Sequence, residues 1–211
     1  MGWGQELARS LMREQKAAVV LVVFFFLLGA VVGVTVLYYL PEEEVVSLSK
    51  YLDGLWKSLS ENPPSRGVLV GETILRNLKM ALAFWFLGLT VVGLPLVLLL
   101  LLWRGFVLGF TAGFLIVHKS WLGIILVLLG IIPHNLLYVP ALLAGGIFSM
   151  VFSLQLIKGN PWTAGTLLQR ILQYTWWMLI VTLFLCAAGF LEGVWAPVLV
   201  RIVAASGAGI Y

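Results

Sequence analysis

The chain has 211 residues, of which 62% are hydrophobic and only 10% are charged, and its formal net charge is +4. Soluble domains carry about 25% charged residues, so this composition excludes an ordinary soluble protein. The small positive charge suits contact with anionic lipid headgroups, and the sequence has no basic cluster of the kind that binds nucleic acid. We therefore predict a single transmembrane domain over residues 1–211.

The N-terminal part predicts a basic, amphipathic lead followed by a first span. The lead covers residues 1–16, and an apolar run covers 17–40. This run is longer than the apolar part of a typical signal peptide, and no small-x-small cleavage site follows it before Pro41, so we interpret it as an uncleaved span. Within it, Gly29 and Gly33 form a G-x-x-x-G motif, which is typical of closely packed helices. The basic lead favours an N-terminus on the inner side.

Residues 41–76 are predicted to form the one substantial aqueous loop, and they hold six of the nine acidic residues. Leucines recur within the loop at helical spacing beside two aromatic residues, which predicts an amphipathic helix. The apolar stripe of this helix consists of Leu48, Tyr51, Leu52, Leu55, Trp56 and Leu59. Such a stripe either rests on lipid or fills a groove on a partner. Both interpretations stay open, and in the second the residues from Tyr51 to Leu59 are the candidate partner-binding residues.

The second span is predicted over residues 78–102. Pro95 lies inside this range, where it would remove a backbone donor and kink the helix. Trp103 and Arg104 follow at once, and an aromatic ring beside a guanidinium is typical of the headgroup level. We therefore expect Trp103 and Arg104 at a membrane interface.

The region 118–135 is expected to be broken or re-entrant. The apolar runs 105–117 and 121–132 contain 13 and 12 residues, each too short to cross a bilayer without tilting. A full-length run follows over 136–157, and a last span is expected over about 174–200. The predicted fold class is thus an all-α integral membrane protein with about five transmembrane helices. Four spans with a re-entrant hairpin are the alternative.

Polar residues inside the apolar runs are the candidate functional residues. Glu192 lies in the last run, where a carboxylate is costly unless it is neutral or paired; it lies either near an interface or facing the bundle. Pro133 frees a backbone carbonyl, and His134 and Asn135 can satisfy such groups. A histidine near a carboxylate can also relay protons. For a bundle-facing Glu192, the candidate hydrogen-bond partners are Arg104, Lys119, His134 and Asn135.

Glycines 105, 109 and 113 are spaced four apart, so the helix that carries them can approach a neighbour closely. We expect the segment around Pro133 to be buried against Glu192 and against this helix. The one cysteine, Cys186, lies in an apolar run and allows neither a disulfide within the chain nor a cysteine zinc site. Since no catalytic motif is recognisable either, we expect no enzymatic activity, no metal and no cofactor.

Taken in order, these motifs resemble the stage II sporulation protein M family. The matching pieces are Asn77, Gly93-Leu94-Pro95, Arg104-Gly105, Gly-Phe-Thr-x-Gly-Phe-Leu over 109–115, Pro-x-Asn-Leu-Leu over 133–137, and Glu192. Many family members continue the Pro-His step with a glycine and later a glutamate, where this chain has Asn135 and Tyr138. This departure weakens any ion or proton chemistry built on that glutamate.

The resemblance implies a membrane scaffold of the machinery that engulfs the forespore. Such a scaffold recruits two membrane-attached peptidoglycan hydrolases, the D and P proteins of the same stage, to the septum in the mother-cell membrane. The residues alone leave a second class open, a transporter or channel-like module with a polar site at a broken helix. A continuous polar cavity would favour the transporter, and a solidly packed bundle would favour the scaffold. Self-association of the chain stays open as well.

Overall fold

The computed structural model describes residues 3–61, 65–157 and 167–205, and every regular element within these ranges is helical. The α-helices are α1 (Trp3–Val36), α2 (Glu42–Glu61), α3 (Arg66–Gly88), α4 (Gly93–Leu126), α5 (Ile132–Ile157) and α6 (Leu167–Ala205). A 3₁₀ turn, Leu37–Tyr39, follows α1, and a π-helix, Val127–Ile131, joins α4 to α5. The predicted all-α class is confirmed.

Four helical stretches in the described ranges are long and apolar enough to cross a membrane. They are Gln15–Tyr39, Gly93–His118, Gly123–Ile157 and Leu167–Trp195. The helix α3 is not among them because it carries Glu72, Arg76 and Lys79, although its 23 residues extend about 34 Å. It packs against α5 and α6, beside the apolar spans. The count of four is close to the predicted five.

The second predicted span is divided in the structure, so the prediction of one helix over 78–102 is wrong. The helix α3 ends at Gly88, and α4 begins at Gly93 after a turn over 89–92. Pro95 is the third residue of α4, in the first turn, where a missing N–H breaks no helical hydrogen bond. It therefore starts a helix instead of kinking one. Arg104 accordingly lies eleven residues into α4, in the middle of a span, and not at an interface.

The aqueous loop is shorter than the predicted range 41–76. Its amphipathic helix is present as α2, but residues 66–76 belong to α3 and pack in the bundle. The charged residues in 66–76 led us to predict an aqueous segment. The apolar residues between them, however, belong to the same helical pattern as the residues after 78, so the helix begins earlier than predicted. The backbone of the basic lead continues into the first span as one helix, α1.

The predicted break in 118–135 takes the form of a chain reversal followed by the π-helix. The carbonyl of Leu115 lies where a side chain on Gly123 would lie, so the two residues are in contact. In a straight helix, residues eight positions apart would be separated by about 12 Å. Further along, Arg104 lies beside Tyr138, and Leu101 lies against Gly146. The two arms therefore run antiparallel. With 26 and 35 residues they are full-length spans and not a re-entrant hairpin.

Glycines bring α1 and α4 into backbone contact. A side chain at Gly29 or Gly33 would meet the carbonyl of Leu102 or Phe106. The facing glycines of α4 do the same, since a side chain at Gly105 would meet the carbonyl of Phe26 and one at Gly109 the carbonyl of Ala30. Gly113 faces the side chain of Leu37, in the 3₁₀ turn that follows α1. Because residue numbers rise together in these pairs, the two helices run parallel. The close-packing face predicted for α1 is confirmed, but the α4 glycines face α1 and not the segment around Pro133 as predicted.

Candidate functional site

A polar cavity of about 360 Å³ lies between α3, α4, α5 and α6. Its polar lining consists of Arg76, Asn77, Arg104, Thr111, His134, Asn135, Tyr138 and Glu192. The structure thus brings together four of the polar residues that the sequence singles out, on α4, α5 and α6. The side chain of Lys119 falls outside the described residues, and Pro133 is exposed next to His134. We refer to this space below as the polar cavity.

Glu192 pairs with Arg76, a residue that the sequence analysis did not consider. Nη2 of Arg76 donates to both carboxylate oxygens, at 2.6 and 2.5 Å. The Arg76 side chain is 50% exposed and the Glu192 side chain 24% exposed, so Glu192 faces the bundle. Sequence reasoning missed Arg76 because it assigned residue 76 to the aqueous loop. The apolar residues that flank it, Ile74 and Leu75, were the signal that a packed helix had already begun.

Two hydrogen bonds across the α3–α6 contact hold this ion pair in register. Nδ2 of Asn77, which is almost fully buried, donates to the carbonyl of Leu185 at 2.9 Å. One turn earlier, Oγ1 of Thr73 donates to the carbonyl of Gly189 at 2.7 Å. The absent side chain at Gly189 lets the helices approach this closely. Interhelical bonds of this kind contribute about 0.6 kcal/mol each on average in a membrane bundle.

The indole of Trp195, on α6, is hydrogen-bonded to the π-helix that precedes Pro133. Its Nε1 donates to the carbonyl of Leu129 at 2.7 Å. The indole therefore ties the π-helix to α6 on the side where Glu192 lies.

His134 and Asn135 hydrogen-bond to the backbone of the same irregular segment. Nδ1 of His134 lies 3.1 Å from the carbonyl of Gly130, and Nδ2 of Asn135 donates to the carbonyl of Ile131 at 2.8 Å. The same amide nitrogen lies 3.1 Å from Nε2 of His134. A neutral histidine with its proton on Nδ1 satisfies all three contacts. Both ring nitrogens are then occupied, and among the described side chains no hydrogen bond joins His134 to Glu192.

Arg104 and Tyr138 lie next to each other in the lining of the polar cavity, and neither has a hydrogen-bond partner in the described part of the chain. The guanidinium carbon of Arg104 lies 5.9 Å from the centre of the Tyr138 ring. The Tyr138 hydroxyl is buried and has no partner in the described part of the chain. In the same part of the chain, Arg104 forms no ion pair and donates no hydrogen bond, since the described carboxylate of the cavity, Glu192, is taken by Arg76.

A second cavity, of about 270 Å³, lies toward the other end of the bundle. It is lined by residues that include Gln15, Gln155, Arg170 and Gln173. Between the two cavities the side chains of Phe84, Leu142 and Leu185 are fully buried. This apolar layer separates the cavities, so no continuous polar path joins them in the described structure.

The predicted partner-binding stripe lies on α2, outside the bundle. Tyr51 and Leu55 are 64% and 40% exposed, and Leu52 is half-buried. The side chains of Trp56 and Leu59 fall outside the described residues. Among the described residues, no three side chains of the His, Cys, Asp and Glu types come together in a way that could hold a metal ion.

Comparison with known proteins gives one match. The family model described as stage II sporulation protein M matches residues 22–197, a range that contains most of the bundle and the whole polar cavity. No curated protein and no solved structure matches the chain.

Proposed function

The chain belongs to the stage II sporulation protein M family, whose members are sporulation-related membrane proteins, and we propose that it is a scaffold of the engulfment machinery. In this role it recruits the membrane-attached D and P proteins of the same stage, which cut septal peptidoglycan. It acts in the mother-cell membrane at the sporulation septum, and it catalyses no reaction itself. The multi-pass helical fold supports the proposal because it anchors a docking surface at a defined depth in the membrane.

One observation carries the docking part of this proposal. The helix α2 lies outside the spans and presents large apolar side chains, with Tyr51 more than half exposed and Leu55 beside it on the next turn. An amphipathic helix of this kind binds by laying its apolar face into a groove on a partner. Contact with the lipid surface is the competing use of the same face.

Serine substitutions at Leu52, Leu55 and Trp56 test the docking role. We expect the triple variant to insert normally, because none of these residues lies in a span, but to release the partner hydrolase from the septum. Fluorescence localisation of the hydrolase and its co-purification with the variant are the measurements. The matched control replaces three exposed polar residues of the same helix, Glu43, Glu44 and Lys50, by serine. Normal localisation of the hydrolase in the apolar variant would move the contact to the spans.

The polar cavity favours a second candidate function, a transporter or channel-like module. The apolar layer of Phe84, Leu142 and Leu185 weighs against it, because a substrate would have to open this layer to cross. Glu192→Gln distinguishes the two functions. The amide still accepts a hydrogen bond from Arg76, so for a scaffold we expect most of the engulfment activity to remain. Complete loss of engulfment at full membrane abundance would indicate proton-coupled chemistry instead.

A further inference from the structure

The second cavity lies where the helices of the bundle meet one face of the membrane. Its polar lining residues all belong to the first or last two turns of a span, and they come from α1, α5 and α6: Gln15, Gln155, Arg170 and Gln173. The turn over 89–92 lies at the same level, because Oγ of Ser153 on α5 donates to the carbonyl of Thr90 at 2.7 Å. The apolar parts of spans end at the lipid headgroups, so the second cavity is at headgroup depth.

Three glutamine side chains surround this cavity, and none of them has a hydrogen-bond partner among the described residues. Gln155 is half-buried, whereas Gln15 and Gln173 are exposed. Each amide offers two donors and an oxygen that accepts. The lining can therefore donate hydrogen bonds to a phosphate group and accept hydrogen bonds from hydroxyl groups of the same ligand.

The charged residues at this depth determine the sign of the ligand. Arg170 is the one charged side chain in the described lining, and it is half-buried. Lys16 follows Gln15 on α1 and is exposed. Basic residues at the edge of a span attract anionic lipids. Because Arg170 has a further interaction within the protein, we assign to it the attraction of the anion, and to the amides the hydrogen bonds.

The walls and the size of the cavity fit the headgroup end of a lipid. Trp177 is 45% exposed, and its ring stacks on the ring of Phe148 with the centres 5.6 Å apart. Two turns further into the span, Phe184 is exposed on the same face of α6, so an apolar surface leads from the cavity into the hydrocarbon. The volume of about 270 Å³ lies just below the roughly 300–1,000 Å³ of sites for drug-sized molecules. It therefore suits a headgroup, with the acyl chains outside along α6.

We propose that the second cavity binds the headgroup of an anionic phospholipid that carries hydroxyl groups, of the phosphatidylglycerol type. The phosphate accepts hydrogen bonds from the amides of Gln155 and Gln173 near the positive charge of Arg170, and the headgroup hydroxyls donate to the amide oxygens. The site does not depend on the scaffold role. A variant can lose the lipid and still recruit a hydrolase through α2, so the failure of one proposal is distinguishable from that of the other.

Lipid titration of the full-length protein tests the site. Native mass spectrometry of detergent-purified protein measures the binding of phosphatidylglycerol, of phosphatidylcholine and of soluble glycerol phosphate. We expect phosphatidylglycerol to bind more tightly than phosphatidylcholine, whose headgroup has no hydroxyl and no net charge. Arg170→Gln should weaken the binding of phosphatidylglycerol about tenfold, the scale of one interaction with a charged group. Lys50→Gln is the matched control, because it removes one exposed positive charge from α2, outside the cavity, and should leave the binding unchanged.

Gln173→Met keeps the test decisive if Arg170→Gln fails to fold. The Gln173 side chain is exposed and has no hydrogen-bond partner in the described part of the chain, so the ligand-free variant should unfold at an unchanged temperature. Both Gln173→Met and Gln155→Met should weaken the binding of phosphatidylglycerol about threefold to fivefold, the scale of one neutral hydrogen bond. Equal binding of the two lipids, or binding of phosphatidylglycerol that none of these substitutions weakens, would overturn the proposal. Binding of glycerol phosphate without binding of the lipid would overturn it as well.

Discussion

At the scale of single residues, a hydroxyl and an amide side chain on α3 form hydrogen bonds to the backbone of α6. Nothing in the hydrocarbon core competes for a backbone carbonyl, so Thr73 and Asn77 can lock α3 against α6 through Gly189 and Leu185. Some other hydroxyl groups in the described part of the chain contact only their own helix. Thr182, for example, donates to the carbonyl of Met178 one turn back. Two threonines therefore contribute differently to the stability of the bundle, depending on whether a carbonyl of another helix lies within hydrogen-bond distance.

Thr73→Val and Thr182→Val form a matched pair that isolates the interhelical bond. Both changes replace a hydroxyl by a methyl group of the same size. We expect Thr73→Val to lower the free energy of unfolding by about 0.6–1.7 kcal/mol, the range of measured interhelical bonds in membrane bundles. For Thr182→Val we expect almost no change in the free energy of unfolding, because the carbonyl of Met178 still accepts a backbone hydrogen bond within its own helix. Unfolding in mixed detergent micelles measures both, and equal effects would refute the interhelical role.

The Arg76–Glu192 pair is expected to behave as a unit. Glu192→Leu leaves the Arg76 guanidinium without its partner, and Arg76→Leu does the same to the carboxylate, so either change should lower membrane abundance. The double variant removes both charges and should recover part of the loss. Because the Arg76 side chain is half exposed, we expect the interaction energy between the two charges to be smaller than for a fully buried pair. Quantitative immunoblots of membranes give the abundance, and simple additivity of the two losses would show that the charges do not interact.

At the scale of helices, small residues decide which pairs can touch backbone to backbone. The α1–α4 contact depends on glycines from both partners, whose missing side chains leave room for the opposite carbonyls. Some other glycines of the described chain have no neighbouring helix at this position. Gly71, on α3, has no atom within 4 Å of the place a side chain would take. A glycine in a span is thus structural only where a neighbouring helix fills its space.

Gly109→Ala and Gly71→Ala test this distinction with the same single methyl group. At Gly109 the methyl would overlap the backbone carbonyl of Ala30, which cannot move without separating the helices. We expect a destabilisation of about 1–3 kcal/mol, typical of overpacking. At Gly71 the change should be neutral or stabilise by up to about 1 kcal/mol, because alanine is the better helix former. Thermal unfolding midpoints compare them, and a Gly109→Ala variant as stable as the original chain would contradict the packing.

At the scale of the whole molecule, helix directions determine which ends share a membrane face. Because α1 and α4 run parallel, Tyr39 and His118 lie at one face, and Lys16 and the turn over 89–92 lie at the other. It follows that α3, which connects α2 to that turn, also crosses. The bundle would then have five crossings, although only four of its helices are apolar enough to be recognised by composition.

Cysteine labelling tests this topology, and the single natural cysteine is removed first by Cys186→Ser. We expect Lys50→Cys and Trp121→Cys to react with an impermeant maleimide from one side of sealed vesicles. Lys16→Cys and Val92→Cys should react from the other side, because α1, α3 and the span Gly93–His118 separate these positions from Lys50 and Trp121. Reaction of Val92→Cys from the same side as Lys50→Cys would mean that α3 does not cross.

Local sequence patterns determined the membrane class, the first span and the amphipathic helix α2. Apolar run length and helical periodicity act over one or two dozen neighbouring residues, so they can be read without knowing the fold. The same holds for Gly29 and Gly33, whose spacing alone indicates a close-packing face. Glu192, His134 and Asn135 could also be singled out locally, because polar groups in apolar runs are rare.

Only the tertiary structure decided which residues meet. Arg76 and Glu192 lie 116 positions apart, and their pairing depends on the antiparallel α3–α6 contact, which no local pattern specifies. The turn after Gly88, which divides residues 78–102, could not be predicted either, because the sequences on both sides of it are equally apolar. The polar cavity depends on four helices at once. Within it, Arg104 has no ion-pair partner in the described part of the chain, because packing places the carboxylate of Glu192 against Arg76.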